Sequence, residues 1–143
     1  MEDHVAVYRF VVDEHYSIIQ KWWEFYGSFA PRVGHLPKTG FVIAVDNVLS
    51  AAGFLYRTDS GNRTEGGICV FEFAICNPEI AKKSRDVALT ELIKRANEWA
   101  HLNKFDLIYT STSNPKFISR LKVAGFIEAD KNQTHLFKEV HHE

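Results

Sequence analysis

The chain has 143 residues, of which 45% are hydrophobic and 13% aromatic, and its formal net charge is −1. This length suits one domain with a hydrophobic core, and we expect residues 1–143 to form that single domain. The near-neutral charge argues against general binding of nucleic acid, although it leaves a local basic patch open. The apolar runs are short and the first residues lack the form of a signal peptide, so we predict a cytoplasmic protein without a membrane segment.

The cysteines and histidines predict neither a disulfide nor a metal site. Cys69 and Cys76 lie seven positions apart on one apolar run. Side chains at that spacing on an extended strand point to opposite faces, so we expect these two not to bridge. No Cys/His or H-E-x-x-H spacing typical of zinc appears in the sequence, and His141 and His142 are interpreted as a solvated tail.

The first half of the chain predicts a strand, a helix and then further strands. A β-rich run predicts the first strand at residues 5–12. Asp13 has the position of a helix N-cap, and Gly27 ends the helical pattern that follows it. The sequence next predicts a loop at 28–40, strands at 41–45 and 48–56 joined by a hairpin turn at Asp46-Asn47, and a polar loop at 59–67.

The second half predicts the centre of the sheet. The strongly apolar run at 68–76 is typical of a strand buried on both faces. A helical pattern up to about Leu102 then connects it to a strand at 106–112, and this crossover predicts that the two strands are parallel, with a crevice at their ends. A short helix is predicted at 114–124, followed by an antiparallel strand pair at 126–128 and 135–140. The order of elements predicts a mixed α/β (α+β) fold, with a mainly antiparallel central sheet and helices on both faces.

The last third of the chain carries a motif that runs from Asn114 to Phe126. It combines an Asn, an apolar pair and a closing Gly-Phe, at Asn114, Phe117, Ile118, Leu121, Gly125 and Phe126. This spacing, together with the element order, resembles the GNAT superfamily of acyl-CoA-dependent N-acyltransferases over nearly the whole chain. The resemblance implies a GNAT-like fold with acetyl-CoA as cosubstrate.

The resemblance also implies a pyrophosphate-binding segment at the start of the long helix. Its residues here are Lys82, Lys83, Ser84, Arg85, Asp86 and Val87. The family usually has two glycines in this segment, which let a phosphate approach the backbone amides, and Ser84 and Asp86 take their places. The basic side chains supply charge that phosphates favour, whereas Asp86 opposes it. A solvated, well-capped helix start is the alternative interpretation.

Further cofactor contacts follow from the same resemblance. The backbone of Ala74, Ile75 and Cys76 would pair with the pantetheine arm as an added strand does. Asn114 and Phe117 would contact the cofactor from the short helix. Two of these residues also have structural interpretations, Cys76 as a small buried hydrophobe and Asn114 as the N-cap ahead of Pro115.

Glu72 is the candidate general base. It is the only acid within the apolar run, where desolvation would raise its pKa towards the range that suits proton transfer from an amine. A structural ion pair with a neighbouring Lys or Arg is the alternative.

Tyr109 is the candidate general acid. The family often has, where Leu121 stands, a Tyr that protonates the departing thiolate, and Leu121 cannot donate a proton. Tyr109 shares one face of the fifth strand with Ser111 and Ser113, so its hydroxyl is the nearest substitute in the pattern. A half-buried aromatic of the strand is the alternative.

The sequence therefore predicts an N-acetyltransferase that moves an acetyl group from acetyl-CoA to an amine of a small molecule or a protein, by direct attack. The alternative is a non-catalytic interaction module of the same fold, suggested by Asp86, the missing glycines and Leu121. Such a module would expose an aromatic patch from Trp22, Trp23, Phe25 and Tyr26. A nucleic-acid binder would need a continuous basic stripe, and an exposed sheet edge near the C-terminus would allow a homodimer.

Overall fold

The computed structural model describes residues 4–60 and 66–140. The strands are β1 (Val5–Arg9), β2 (Thr39–Val45), β3 (Val48–Arg57), β4 (Ile68–Cys76) and β5 (Leu107–Tyr109). The helices are α1 (Val12–Phe25), α2 (Lys82–Leu102) and α3 (Pro115–Val123), with one 3-10 turn at Val33–His35. Part of the predicted loop at 59–67 lies outside the described residues, and the predicted His141-His142 tail lies wholly outside them. Within the two described ranges no helix combines the length and the apolar character that crossing a membrane requires.

The five strands form one sheet in chain order. Neighbouring strands from β1 to β4 run antiparallel, whereas β4 and β5 run parallel. Asp46 and Asn47 have φ values of 51° and 68°, the left-handed conformation that a tight two-residue hairpin requires at both positions. The predicted hairpin and the mixed, mainly antiparallel sheet are confirmed.

Helices cover both faces of this sheet, as the sequence predicted. On one face α1 packs against the strands through Ile19, Trp22 and Trp23, which meet Phe54 of β3. On the other face α2 and α3 pack on a second core, whose main members are Ile43, Leu55, Phe71, Leu92, Ile93, Ala96, Phe117 and Leu121. The two cores hold the sheet as a fixed layer between helices.

The start of α1 differs from the prediction. The first strand ends at Arg9 and the N-cap is Val11 rather than Asp13, which lies inside the first helical turn. The buried side chain of His15 explains the shift, because its Nδ1 accepts a hydrogen bond of 2.9 Å from the Val11 amide. A histidine reaching back to the N-cap thus satisfies an amide that the helix itself leaves free.

A bulge interrupts β4 at Phe73, whose φ of 59° lies in the left-handed region. Ala52 of β3 pairs with Ile75, whereas Phe54 pairs with Glu72, so two residues of β4 lie opposite one of β3. Such a bulge bends its strand and changes the direction of the side chains that follow.

The bulge overturns the expectation that Cys69 and Cys76 point to opposite faces. The extra residue reverses the alternation, so both side chains pack in the core below α2. Both are free cysteines. Seven residues of strand separate them by roughly 20 Å, which is too far for a disulfide.

The predicted strand pair at 126–128 and 135–140 is wrong, because the described residues 126–140 contain no strand. The segment crosses to the loop after α1, where the Phe137 ring lies 5.3 Å from that of Phe29 and Glu139 pairs with Arg32 at 3.5 Å. These contacts lead it away from β5, which is itself shorter than predicted. A cavity of about 1080 Å³ lies between β5 and residues 126–135.

Phe54 gives a test of the α1 core. Its ring is fully buried, 4.9 Å from that of Phe10 and 6.4 Å from that of Trp23. Phe54→Ala should lower the free energy of unfolding by about 3–5 kcal/mol, measured by chemical denaturation, because it leaves a cavity that the sheet cannot close. Phe25→Ala is the control, since Phe25 is 68% exposed, and it should change stability by less than about 0.5 kcal/mol. Similar losses for both variants would contradict this core.

Candidate functional site

A crevice opens where β4 and β5 separate. The two strands pair only from Ile68 with Leu107 to Val70 with Tyr109. At the next position along both strands, the Thr110 hydroxyl donates to the Phe71 carbonyl at 2.6 Å. A side-chain hydrogen bond thus replaces the backbone hydrogen bond that would continue the pairing of β4 with β5. Beyond that point no strand of the described residues pairs with the outer edge of β4.

The exposed edge includes the backbone of Ala74, Ile75 and Cys76, the three residues expected to contact pantetheine. All three are only partly buried. Asn77 holds the end of this edge in place, because its amide donates to the Ser50 carbonyl and its side-chain nitrogen to the Leu49 carbonyl, both at 2.9 Å. The edge therefore offers fixed backbone donors and acceptors to an extended ligand.

The segment 82–87 is helical from its first residue, and no loop is present. Ala81 is the N-cap and α2 begins at Lys82, so Ser84 lies inside the helix and does not cap it. No side chain accepts a hydrogen bond at this N-cap. The first amides of a 21-residue helix are thus available to an anion, beside the exposed Lys82 and Lys83.

Asp86 has a partner that the sequence did not reveal. Its carboxylate forms an ion pair with Arg120 of α3, and Arg120 also donates to the Thr90 hydroxyl at 3.3 Å. The pair joins α2 to α3. Because Arg120 neutralises it, Asp86 opposes a bound phosphate less than the sequence alone suggested.

A groove of about 690 Å³ lies between α2 and α3 on the outer side of this ion pair. Lysine side chains are placed along it, at Lys82, Lys94 and Lys116, together with Arg120. Two acids, Asp86 and Glu98, also line it. The groove continues from the start of α2 and suits a ligand that carries several phosphates.

Cys76, at the end of β4, lies near Arg85, Asp86 and Arg120. Burial raises the pKa of its thiol to about 11, although the nearby Arg85 and Arg120 act in the opposite direction. The thiolate is the nucleophilic form of cysteine, so this side chain stays a protonated, inert thiol at neutral pH. That agrees with the interpretation of Cys76 as a small buried hydrophobe.

Asn114 and Phe117 have structural roles in α3. The Asn114 side-chain oxygen accepts from the amides of Lys116 and Phe117 at 3.0 and 3.1 Å, which confirms the predicted N-cap ahead of Pro115. Phe117 is only 8% exposed, and its ring packs 6.2 Å from that of Phe71 in the core beneath the crevice. The cap leaves Asn114 itself exposed at the mouth of the crevice.

Glu72 lies on the α1 side of the sheet, next to the point where the strands separate. Desolvation raises the pKa of its carboxyl, while the charge of His135 and hydrogen bonds from the Ser111 amide and hydroxyl oppose that rise. No Lys or Arg of the described ranges forms an ion pair with it. This environment favours the protonated form of the carboxyl more than water does, as a general base requires.

Tyr109, the candidate general acid, lies on β5 at a different level of the sheet from Glu72. Tyr109 pairs with Val70, two residues before Glu72, and its side chain is 54% exposed. It lines the cavity beside β5 together with Ser111 and Ser113. Leu121, where the family often has Tyr, is buried in the core.

Sequence reasoning missed Tyr56 and His135. Tyr56 of β3 is close enough to Glu72 for the carboxylate to raise the pKa of its phenol, after the larger effect of burial. Its hydroxyl donates to the His35 carbonyl at 2.7 Å. The ring nitrogen Nε2 of His135 lies 3.1 Å from the Ser111 hydroxyl. Alternation along β3 was the one sequence signal that could have indicated Tyr56. No sequence pattern connects His135 with Ser111, which lies 24 positions earlier.

Comparison with solved structures identifies the fold. The chain matches the aminoglycoside N-acetyltransferase AAC(6')-Iy, solved with CoA, at 17% identity over 97% of both chains with a TM-score of 0.64. It matches a probable acetyltransferase at 13% identity over 97% of this chain and 99% of that one, with a TM-score of 0.63. A transcriptional regulator from Bacillus halodurans matches at 13% identity over 94% and 100% of the two chains, with a TM-score of 0.67.

The chain therefore has the fold of the GNAT acetyltransferases, and the GNAT-like fold expected from the sequence is confirmed. No protein-family model matches the sequence, and no curated protein matches it. At identities of 10–17% the likeness concerns the fold alone. Because one fold serves many activities, the function has to be argued from the site.

Glu72 gives a test of the site's electrostatics. Because folding raises its pKa, folding favours the protonated form, and this contribution to stability is lost as the pH rises through the folded-state pKa. Glu72→Gln should therefore raise the melting temperature relative to wild type at pH 8, by an amount that shrinks towards pH 4. Thermal denaturation across this range measures the difference.

Glu79→Gln is the matched control, since Glu79 is exposed on the turn after β4. A melting temperature that falls in Glu72→Gln at pH 8 would mean that the contacts of the ionised carboxylate stabilise the fold, which would contradict the dominance of desolvation at this residue.

Proposed function

We propose that this protein is an N-acetyltransferase that moves an acetyl group from acetyl-CoA to an amine. The observation that carries the proposal is the crevice between β4 and β5. Uncapped helix amides with basic neighbours lie on one side of it, and a desolvated carboxylate lies on the other. A negatively charged, extended cosubstrate fits the first side, and proton removal from an amine fits the second.

In this proposal acetyl-CoA lies along the open edge of β4. The backbone of Ala74, Ile75 and Cys76 pairs with the pantetheine arm, and the pyrophosphate lies over residues 82–87. Lys82, Lys83 and Arg85 neutralise it, together with the amides of the first turn. Asn114 borders the arm from α3, and Phe117 supports that border from the core.

The chemistry is a direct transfer. The amine nitrogen attacks the thioester carbonyl, the carbon–sulfur bond breaks, and CoA leaves as a thiolate. Glu72 takes the proton that the amine loses, which a raised pKa favours. Tyr109 is the proposed source of a proton for the thiolate, although a thiolate with a conjugate pKa near 8.5 also leaves unaided. The acceptor is an amine of a small molecule or a protein.

A thermal-shift measurement with acetyl-CoA and CoA tests cofactor binding. Ligand at 100 times its dissociation constant should stabilise the protein by about 2.7 kcal/mol, a shift of several degrees. Replacing Lys82, Lys83 and Arg85 together with Ala should abolish most of the shift. The control replaces three exposed basic residues that lie outside α2 and α3, Arg9, Lys21 and Lys38, and should keep it.

Acceptor use is tested with a panel of primary amines. Sisomicin, spermidine, a lysine-containing peptide and tyramine represent different chemical classes, and the thiol released from acetyl-CoA reports transfer. No thermal shift at millimolar acetyl-CoA would overturn the acetyltransferase assignment, whereas a shift without thiol release would leave only cofactor binding.

Asp86 should weaken cofactor binding in the wild-type protein. Asp86→Asn removes a negative charge beside the proposed pyrophosphate site and releases Arg120 to face the phosphates. A single charge near a helix N-terminus is worth up to about 1 kcal/mol, so CoA affinity should rise by up to about fivefold, measured by calorimetry. Glu98→Gln, in the same groove but three turns further along α2, should change it less. Weaker binding in Asp86→Asn would instead mean that Asp86 positions Arg120.

A non-catalytic interaction module is the second candidate function, and one observation favours it. Trp22 and Trp23 are buried, but two pairs of neighbouring aromatic residues stay exposed, Phe25 with Tyr26 and Phe29 with Phe137. Exposed aromatic residues in contact with one another are typical of protein interfaces. A protein that binds neither acetyl-CoA nor CoA would favour this function.

A further inference from the structure

Glu72, Ser111 and His135 come from three separate parts of the chain and meet at one point. Glu72 belongs to β4, Ser111 follows β5, and His135 belongs to the segment after α3. The register of Val70 with Tyr109 places Ser111 beside Glu72 when it is continued by two residues. The bond from Thr110 to the Phe71 carbonyl fixes that continuation.

These three residues form a connected path to solvent. The amide and hydroxyl of Ser111 are close enough to the Glu72 carboxyl to lower its pKa, and Ser111 Oγ lies 3.1 Å from His135 Nε2. Glu72 and Ser111 are half-buried, whereas His135 is exposed. The path thus begins at the proposed base and ends at a group open to water.

A base of this kind needs a route by which the proton it accepts can leave. Once Glu72 holds the proton of an amine, it must lose that proton before it can act again. The bulge at Phe73 changes the direction of the part of β4 that follows Glu72. The Tyr56 hydroxyl donates its proton to the His35 carbonyl, so it is not free to pass a proton on from Glu72. Among the described residues, Tyr56 and His135 are titratable groups whose electrostatics interact with Glu72, and His135 is exposed whereas Tyr56 is half-buried.

We propose that Ser111 and His135 form a proton relay that carries the proton from Glu72 to solvent. The Glu72 carboxylic acid donates its proton to Ser111 Oγ, and the Ser111 hydroxyl proton passes at the same time to His135 Nε2. The imidazolium then releases its Nε2 proton to water, which leaves the neutral ring protonated on Nδ1 and restores all three groups. This inference rests on the proposed acetyl transfer, since the amine supplies the proton. Ser111 and His135 act through Glu72 and do not touch the reacting atoms.

The first test does not depend on activity. The relay requires that His135 Nε2 accept the Ser111 hydroxyl once Glu72 is protonated, so the neutral ring must then carry its proton on Nδ1. Glu72→Gln reproduces that state, because its side-chain amide can donate to Ser111 Oγ as the carboxylic acid would. Nitrogen NMR of full-length Glu72→Gln with labelled histidine should show that tautomer. Adding Ser111→Ala should shift His135 towards the tautomer protonated on Nε2, and His101, on the exposed last turn of α2, should be unchanged. A His135 protonated on Nε2 in Glu72→Gln, or one indifferent to the added Ser111→Ala, would overturn the relay.

The second test measures turnover with acetyl-CoA and the amine panel. His135→Gln should lower kcat by about tenfold or more, since a positioned proton-transfer group typically contributes about 10²–10⁴ in rate. The KM for acetyl-CoA should stay constant, and added imidazole should restore part of the rate. His101→Gln is the control and should match wild type. A purely structural role would give no rescue by imidazole.

The outcomes separate the relay from the acetyltransferase itself. Wild-type transfer that His135→Gln leaves unchanged overturns the relay alone. A wild type that binds no acetyl-CoA, or transfers to none of the amines, overturns the proposed function and the relay with it.

Discussion

The unpaired edge of β4 is the constraint on which the site depends. Backbone amides and carbonyls inside a protein have to find hydrogen-bond partners, and in a sheet the neighbouring strand supplies them. Here β5 provides three pairs and then turns away, with the Thr110 side chain closing the last position. The remaining backbone of β4 is held by packing on both faces, so it presents its hydrogen-bonding groups to water or to an extended ligand in a fixed arrangement.

The charges around this edge are arranged by contacts between distant residues. Asp86 occupies a position where the family usually has glycine, and a carboxylate there opposes a phosphate. Arg120, on another helix, neutralises it and adds a cation to the groove between α2 and α3. On the other side of the sheet, Glu72 lies beside Ser111, His135 and Tyr56, and no Lys or Arg of the described residues forms an ion pair with it. One crevice thus has a basic side and a side that suits proton transfer.

Most strands and helices were predictable because their patterns are local. The hairpin at Asp46-Asn47, the N-cap Asn114 and the apolar strand β4 each depend on residues that are close in the sequence. The errors lie where distant contacts compete with that pattern. His15 moves the start of α1, and Phe29 and Arg32 hold the C-terminal segment away from β5. A one-residue bulge reversed the expected direction of Cys76 because strand alternation cannot reveal an insertion.

The sequence by itself determined the order of the elements, the parallel pairing of β4 with β5 and the position of Glu72 on a buried strand, because periodicity and turn residues act over a few positions. Only the tertiary structure decided which groups surround that carboxylate and that Asp86 meets Arg120. Those pairings join residues 24–63 positions apart, between Ser111 and His135 and between Glu72 and His135. No local pattern records them, since they follow from how the packed helices and the C-terminal segment cross the sheet.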